Sequence, residues 1–144
     1  LVQVHLSAYD EGGKIRASQL KLLNEVLSEE QKKGNYVIAG GDFNHDIAGS
    51  IEQFPSQQEI PEWVYQLSDE DLSQGLSFVR AENASQVPTC RGADIPYEEG
   101  VTYTVIVDGF IVSDNVTVKA WNRDAQFLYS DHNPVVMEFV LEDD

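Results

Sequence analysis

The sequence predicts an α/β fold, with a mixed β-sheet and flanking helices, from three observations. A strand, a helix and a second strand follow one another within the first 41 residues, which is the order of a βαβ unit. After residue 101 the chain becomes rich in β-branched and aromatic residues, which are typical of strands. The chain has 144 residues, of which 42% are hydrophobic, and this predicts one domain with a packed core.

The first two elements are a strand and an amphipathic helix. Apolar and polar residues alternate over residues 2–6, which is typical of a strand with one buried face. A helix is predicted at residues 14–33, with Gly34 at its C-terminal cap. At 100° per residue the apolar side chains of this helix share an arc of roughly 160°. We therefore expect one buried stripe, formed by Ile15, Leu20, Leu22, Leu23, Val26 and Leu27.

The middle of the chain carries weaker signals. Residues 36–41 form a short apolar run without alternation, which favours a strand covered on both faces. Residues 45–100 are predicted to be irregular, with one or two helical turns at residues 61–66. Ser68 is predicted to cap a short helix with acidic residues in its first turn. Residues 83–100 have the composition of a long loop, and such loops are usually functional or disordered.

Three strands are predicted in the last third of the chain, at residues 102–113, 116–121 and 134–141. Asp114 and Asn115 are predicted to form a hairpin turn between the first two. The Asp-Gly pair at 108–109 leaves a second interpretation open, since this dipeptide between apolar runs is itself a hairpin signal. One continuous strand is favoured because a turn at 108–109 would leave only two short stubs.

The chain is strongly acidic, with 9 Lys and Arg residues against 25 Asp and Glu residues and a formal net charge of −16. Proteins that bind nucleic acid by neutralising phosphates carry excess positive charge. The charge therefore does not favour a nucleic-acid partner unless cations mediate the encounter. Its one cysteine, Cys90, excludes an internal disulfide, and no apolar run approaches the ~20 residues of a membrane span.

Side chains with catalytic or metal-binding chemistry are concentrated at the ends of predicted strands. In an α/β sheet such ends meet at one edge and form the site. Carboxylate and amide oxygens there would bind Mg²⁺ or Mn²⁺, and an imidazole would act as a base. Each residue alone also has an ordinary explanation, as turn chemistry or as a packed or surface histidine. In chain order the candidates are His5, Asp42, Asn44, Asp108, Asp131 and His132.

Four motifs in order along the chain carry a resemblance to a known family. Gly-Asp-Phe-Asn at 41–44 and Ser-Asp-His at 130–132 are joined by His-Leu at 5–6 and by Val-Asp-Gly-Phe-Ile-Val-Ser at 107–113. The last of these departs from the family pattern at two positions, and residues 16–19 match the family's usual helix start. Together the motifs resemble those of the endonuclease/exonuclease/phosphatase superfamily, which has the deoxyribonuclease-I-like fold.

The resemblance implies a hydrolase of phosphate esters that depends on Mg²⁺ or Mn²⁺. It implies that His132 is the general base and that Asp108 holds the other nitrogen of its ring. Asp131 and Asp42 would be metal ligands, and Asp42 would also orient water or the leaving group. The substrate class stays open among a nucleic acid, a phospholipid head group and a small phosphoester.

Further residues are expected to contact the substrate. The resemblance implies that His5 and Asn44 donate hydrogen bonds to the scissile phosphate. Arg91, in the predicted loop, is a candidate for a phosphate contact, and the alternative is a solvated loop arginine. Cys90 has no histidine partner at motif spacing, and we expect it to be inert.

The resemblance also implies that the chain is the second half of a larger fold, a four-layer α/β sandwich of two similar halves. Residues 1–144 would be a single domain, and the first half would supply a metal-binding glutamate that this chain lacks. We expect that half to be a partner of the chain, or dimerisation to cover the face it leaves. The fragment alone would be inactive.

Two expectations concern function and location. The alternative to an enzyme is a catalytically inactive binding domain on the same fold, and the presence of five site residues together favours the enzyme: Asp42, Asn44, Asp108, Asp131 and His132. The chain is expected to be a soluble domain, extracellular or anchored to a bacterial membrane through a segment that precedes it.

Overall fold

The computed structural model describes residues 1–142 and has a mixed α/β architecture, which confirms the predicted class. One long helix, α1 (Lys14–Lys32), lies between the first two strands. Short 3-10 segments occur at Glu11–Gly13 and Asp69–Asp71. The strands are β1 (Val2–His5), β2 (Ile38–Asp42), β3 (Leu76–Phe78), β4 (Cys90–Arg91), β5 (Thr104–Val105), β6 (Asp108–Ser113), β7 (Val116–Asn122) and β8 (Val135–Leu141).

Four strands form the central sheet, in the order β1-β2-β6-β3. β1 and β2 are parallel, as the predicted βαβ unit requires, whereas β6 is antiparallel to both β2 and β3. His5 pairs with Asp42, and Asp42 pairs on its other side with Asp108. Strand register alone therefore places three of the predicted site residues in one row at the end of the sheet.

The helix packs a narrow stripe of side chains against this sheet. α1 ends within one residue of the prediction, and Gly34 follows it with a φ of 80°, a conformation that glycine adopts without strain. Its covered stripe consists of Arg16, Leu20, Leu23 and Leu27. The spacing of four, three and four residues keeps these side chains on one side of a helix.

The wider stripe predicted for α1 is wrong at three positions. Ile15, Leu22 and Val26 are 55%, 62% and 42% exposed. They lie together on one side of the covered stripe, at the solvent edge of the apolar arc. Periodicity gives the apolar arc of a helix, but the width of the surface that the helix meets is set by the rest of the fold.

The continuous strand predicted at 102–113 is wrong, because the segment is split between two sheets. β5 pairs with β4, and β6 starts only at Asp108, which pairs with Asp42 inside the central sheet. Between β5 and β6, two side-chain hydroxyls replace strand partners: Ser50 accepts from the Ile106 N–H and Thr89 from the Val107 N–H. The alternative hairpin at 108–109 is wrong as well, since both residues lie within β6.

The predicted turn at Asp114 and Asn115 is present, but the strands beside it do not pair with each other. Both edges of β6 are occupied, by β2 and β3, so β7 cannot join it. β7 instead leaves the sheet and pairs along its whole length with β8. We call this pair of strands the β7–β8 ribbon.

The ribbon lies across the face of the central sheet opposite α1, so the described chain has three layers. A cluster of apolar side chains joins the ribbon to the central sheet, with Ile38, Val112 and Val116 at its centre. The outer half of β8 extends beyond this cluster, and Phe139 and Val140 there are 51% and 62% exposed. Over the described residues, no helix combines the length and apolarity that crossing a membrane requires.

The middle region is irregular, as predicted, with three local features. Residues 61–66 contain one hydrogen-bonded turn rather than a helix. Ser68 caps a 3-10 turn, and the Asp71 carboxylate accepts from the Ser68 N–H at 2.9 Å, which completes a capping box. The loop at 83–100 is interrupted by β4, an element of two residues that the composition did not indicate.

Candidate active site

His132 reaches the row of strand ends through the loop that precedes β8, and that loop is held against β4. Cys90 and His132 form an antiparallel backbone bridge. On either side of it, the Arg91 N–H donates to the Asp131 carbonyl at 3.0 Å, and the Asn133 N–H donates to the Thr89 carbonyl at 2.7 Å. The position of His132 is therefore fixed by a strand that lies 42 residues earlier in the sequence.

His132 and Asp108 form the closest polar pair of the site. The Nδ1 of His132 lies 2.8 Å from the Oδ2 of Asp108. This hydrogen bond raises the pKa of His132 to about 11, with a further contribution from the Cys90 side chain. Asp108 thus orients the ring and stabilises its protonated form, which is the arrangement predicted for these two residues.

Asp42 faces the same histidine from the neighbouring strand. Its Oδ2 lies 3.9 Å from the Nε2 of His132. Burial raises the pKa of the Asp42 carboxyl, and the negative charge of Asp108 adds to this rise. The protonated His132 ring compensates part of this negative charge, and a divalent cation would stabilise the two carboxylates further.

The donor set fits a divalent cation. Ligand atoms of Asp42, Asp108 and His132 lie within 4.8 Å of one another. Carboxylate oxygens are the ligands of Mg²⁺, which commonly uses one or two of them and keeps several waters. Asp131 is exposed and is not a member of this group, so its role as a metal ligand stays a prediction.

Asn44 is held rigidly beside Asp42. Its backbone is left-handed, with a φ of 48°, and its N–H donates to the Oδ1 of Asp42 at 2.7 Å. The side-chain Nδ2 donates to the Leu6 carbonyl at 2.7 Å and lies 3.2 Å from the Oδ2 of Asp42. Both hydrogens of the Asn44 side-chain amide are thereby used in hydrogen bonds. A phosphate could accept a hydrogen bond from this amide only by replacing its longer contact with Asp42.

His5 completes the row from the edge strand. Its Nε2 lies 3.4 Å from the Oδ2 of Asp42, and its side chain is 74% exposed. A histidine at the open side of the row can approach a bound anion without a change in the sheet. The predicted phosphate contact of His5 is therefore sterically accessible, and it stays a prediction.

Arg16 is a supporting residue whose role the sequence did not reveal. Its side chain is fully buried, and Nη1 donates to the carbonyls of Asn44 at 2.7 Å and of Trp63 at 3.0 Å. The Asp10 carboxylate accepts from the Arg16 N–H at 2.8 Å. Arg16 thereby ties the start of α1 to the loop that carries Asn44. The motif match included this arginine, but no local pattern told which carbonyls it reaches.

Cys90 contacts the histidine of the site, although no histidine lies at motif spacing from it in the sequence. Its Sγ lies 3.7 Å from the Nε2 of His132. Burial raises the pKa of the Cys90 thiol. Sequence spacing could not reveal the pair, because a two-residue strand and a backbone bridge bring it together.

Arg91 is engaged in its own loop. Its Nη1 donates to the Gly92 carbonyl at 2.9 Å and to the Ile95 carbonyl at 3.3 Å. The residue also lines a cavity of about 570 Å³ next to the His132 loop, together with Tyr97 and Phe127. A phosphate contact from Arg91 would require one of the loop hydrogen bonds to break, and it stays a prediction.

The sheet and the row of site residues define a class of protein. A mixed sheet that carries a His–Asp pair and a second aspartate on adjacent strand ends is the arrangement expected of the deoxyribonuclease-I-like fold. Comparison with solved structures confirms this fold. No family model matches the chain, and no curated protein matches it in sequence.

Two similar structures come from different organisms. Truncated TDP2 from Caenorhabditis elegans superposes with a TM-score of 0.57 and 18% identity, over 96% of this chain and 53% of that one. A mannosyl-6-phosphatase from Bacteroides thetaiotaomicron superposes with a TM-score of 0.53 and 21% identity, over 96% of this chain and 50% of that one. The chain thus spans about half the length of the structures it matches.

Proposed function

We propose that the protein is a divalent-metal-dependent hydrolase of phosphate esters. The observation that carries this proposal is the Asp108–His132 hydrogen bond of 2.8 Å, which faces Asp42 at the end of the sheet. The likeness in fold to a mannosyl-6-phosphatase supports it at the level of reaction class. The strongly acidic surface favours a small phosphoester or a lipid head group over a long nucleic acid.

His132 would accept the proton of the attacking water, and Asp108 would hold the ring and stabilise the imidazolium that results. Asp108 raises the pKa of His132 to about 11, so the ring is protonated at neutral pH before the site is loaded. A bound divalent cation would neutralise charge on the phosphate and lower the pKa of the adjacent imidazolium, because like charges repel. His132 would act as the base once its ring is neutral.

Asp42 and Asp131 would hold the cation, and Mg²⁺ or Mn²⁺ is the ion that their oxygens favour. Asp42 is positioned for this by its place in the row and by its hydrogen bond with the Asn44 N–H. His5 and Asn44 would donate hydrogen bonds to the phosphate and stabilise the negative charge that grows on it during the reaction. His5 lies on the open side of the row and Asn44 at its base.

We also propose that a further half-sandwich is the partner that completes this chain. The TDP2 and mannosyl-6-phosphatase structures are about twice as long as the region they share with it. The described residues supply Asp42, Asp108 and His132 as a ligand group, which contains no glutamate. A glutamate from the partner half would supply the missing carboxylate.

The direct test measures hydrolysis of bis-p-nitrophenyl phosphate by the full-length protein with Mg²⁺. We expect turnover that disappears in excess EDTA and that falls by roughly a hundredfold or more in His132→Ala, since a general base contributes about 10²–10⁴. His45→Gln is the matched control, because His45 is buried outside the row, 2.7 Å from the Phe43 carbonyl. Turnover that persists in EDTA would refute the mechanism. Binding of phosphoesters without turnover would favour an inactive binding domain.

A further inference from the structure

The Cys90–His132 contact has the geometry of two ligands of one metal ion. The Sγ and Nε2 atoms are 3.7 Å apart. A tetrahedral Zn²⁺ with bonds of about 2.3 Å to sulfur and about 2.0–2.1 Å to nitrogen holds these two atoms about 3.5 Å apart. The two side chains would therefore need to move by only a few tenths of an ångström to share such an ion.

We propose that Cys90 and His132 form a binding site for a thiophilic divalent cation such as Zn²⁺, which shares His132 with the ligand group that contains Asp42 and Asp108. Thiolate and imidazole ligands favour zinc, whereas Mg²⁺ favours oxygen. The thiol and the His132 imidazolium each give a proton to solvent when the ion binds, because only the thiolate and the neutral imidazole are ligands. The His132 side chain is 32% exposed, which leaves a route from solvent for the ion and for the waters that complete its coordination.

Asp108 strengthens this site from behind the ring. Its carboxylate accepts from Nδ1 at 2.8 Å, so Nε2, which faces Cys90, is the nitrogen that loses its proton to bind the ion. A carboxylate behind a metal-binding histidine is the usual partner of such a ligand and raises its basicity. Asp42 Oδ2, 3.9 Å from Nε2, adds negative charge on the same side. This environment favours a cation between the two ligand atoms.

Occupation of this site would block the proposed reaction. The Nε2 lone pair that binds the ion is the one that would accept the proton from water. This consequence rests on the proposed function, whereas binding of the ion does not. We therefore expect Zn²⁺ to inhibit Mg²⁺-dependent hydrolysis by acting on Cys90 and His132.

Binding is tested by titrating the full-length protein with Co²⁺ or Cd²⁺ and following the absorption of the thiolate–metal bond. Cys90 is the one cysteine of this sequence, so within this chain a thiolate band reports that residue. Cys90→Ser should abolish the band, and a free cysteine elsewhere in the protein is replaced first if one is present. His132→Gln and Asp108→Asn should each weaken binding by roughly tenfold or more. Circular dichroism verifies that each variant is folded.

Three outcomes would overturn the proposal: no band in the folded protein, a band that survives Cys90→Ser, or an affinity unchanged by His132→Gln. A second arm measures inhibition. Cys90→Ser should keep Mg²⁺-dependent turnover and need at least about tenfold more Zn²⁺ for half inhibition. If the protein shows no turnover at all, the absorption arm still decides whether the ion binds, so failure of this site and failure of the proposed function are separate results.

Discussion

The two layers that cover the central sheet, α1 and the β7–β8 ribbon, differ in how closely they match its extent. Beneath α1 the core is closed, and Leu27, Ala39 and Ile111 are 1%, 0% and 0% exposed. Beneath the β7–β8 ribbon Ile38 and Val112 are buried as well, but the ribbon extends past the sheet. Phe139 and Leu141 point to the same side of β8 as the packed Met137, yet they are 51% and 43% exposed.

This difference separates the two parts of the candidate site. His5 and Asp42 lie at the ends of β1 and β2, within the hydrogen-bonded central sheet. His132, in contrast, lies in the connection between β7 and β8, the ribbon whose outer end is exposed. We infer that the row of strand ends is preorganised by the sheet, whereas the His132 loop depends on its bridge to β4.

The largest effect on stability is expected in the core beneath α1. Leu27→Ala removes a fully buried side chain of the main core and should lower the free energy of unfolding by about 2–5 kcal/mol. Leu22→Ala on the same helix is the matched control, because Leu22 is 62% exposed and should cost less than about 0.5 kcal/mol. Urea unfolding measures both. Equal losses would mean that the two sides of α1 are covered alike.

A somewhat smaller effect is expected at the end of the sheet that carries the site. Gly41 has a φ of 146°, and a Cβ there would lie 1.9 Å from the Val4 carbonyl oxygen of β1. Gly41→Ala should therefore push β1 from β2 and cost about 1–3 kcal/mol. Gly34→Ala, where a Cβ meets no atom within 4 Å, is the control for backbone strain alone. A loss no greater than that of the control would show that the strands can shift freely.

The third prediction concerns pH and tests how firmly the His132 loop is held. The pKa of His132 is about 11 in the folded chain and 6.5 in a free side chain. A raised pKa adds stability that is complete below pH 6.5 and is lost as the pH rises towards 11. Asp108→Asn removes the principal cause, so its stability should change less over this window. Unfolding measured from about pH 6 to about pH 11 compares the two. Identical pH profiles would show that the pair does not form.

The sequence indicated several of the residues that the structure brings together at the strand ends, because they are adjacent to strongly patterned strands. The alignment of His5, Asp42 and Asp108 results from the register in which their strands pair. The resemblance of the motifs implied the His132–Asp108 pair, which the structure contains. What failed depends on distant contacts. The split of the 102–113 segment results from the Ser50 and Thr89 hydroxyls, and no local pattern distinguishes these from other hydroxyls.

The Cys90–His132 pair and the path of β7 were missed for the same physical reason. A strand of two residues has no measurable period, so β4 and its bridge to His132 are invisible in the sequence. The turn at Asp114 and Asn115 is a genuine turn signal, but whether the next strand pairs depends on β3 already occupying the edge of β6. Competition for a strand edge is a property of the whole fold.

The smallest effect on stability, and the sharpest test of the difference between the two layers, is expected at β8. The double substitution Phe139→Ser and Leu141→Ser replaces two half-exposed side chains. In the isolated chain, each of the two changes should alter the free energy of unfolding by less than about 1 kcal/mol. If this face is covered by a further half-sandwich or by a second copy, the same change should weaken that association by tenfold or more, because each lost apolar contact is worth about 1.5–3 kcal/mol when fully buried. Analytical ultracentrifugation of the isolated chain measures self-association, and co-purification with the other half measures the complex. Leu22→Ser, an exposed apolar residue on α1, is the control and should leave both unchanged. If the β8 variant behaves like this control in both assays, the exposed side of the ribbon faces solvent, and the chain needs no partner on that face.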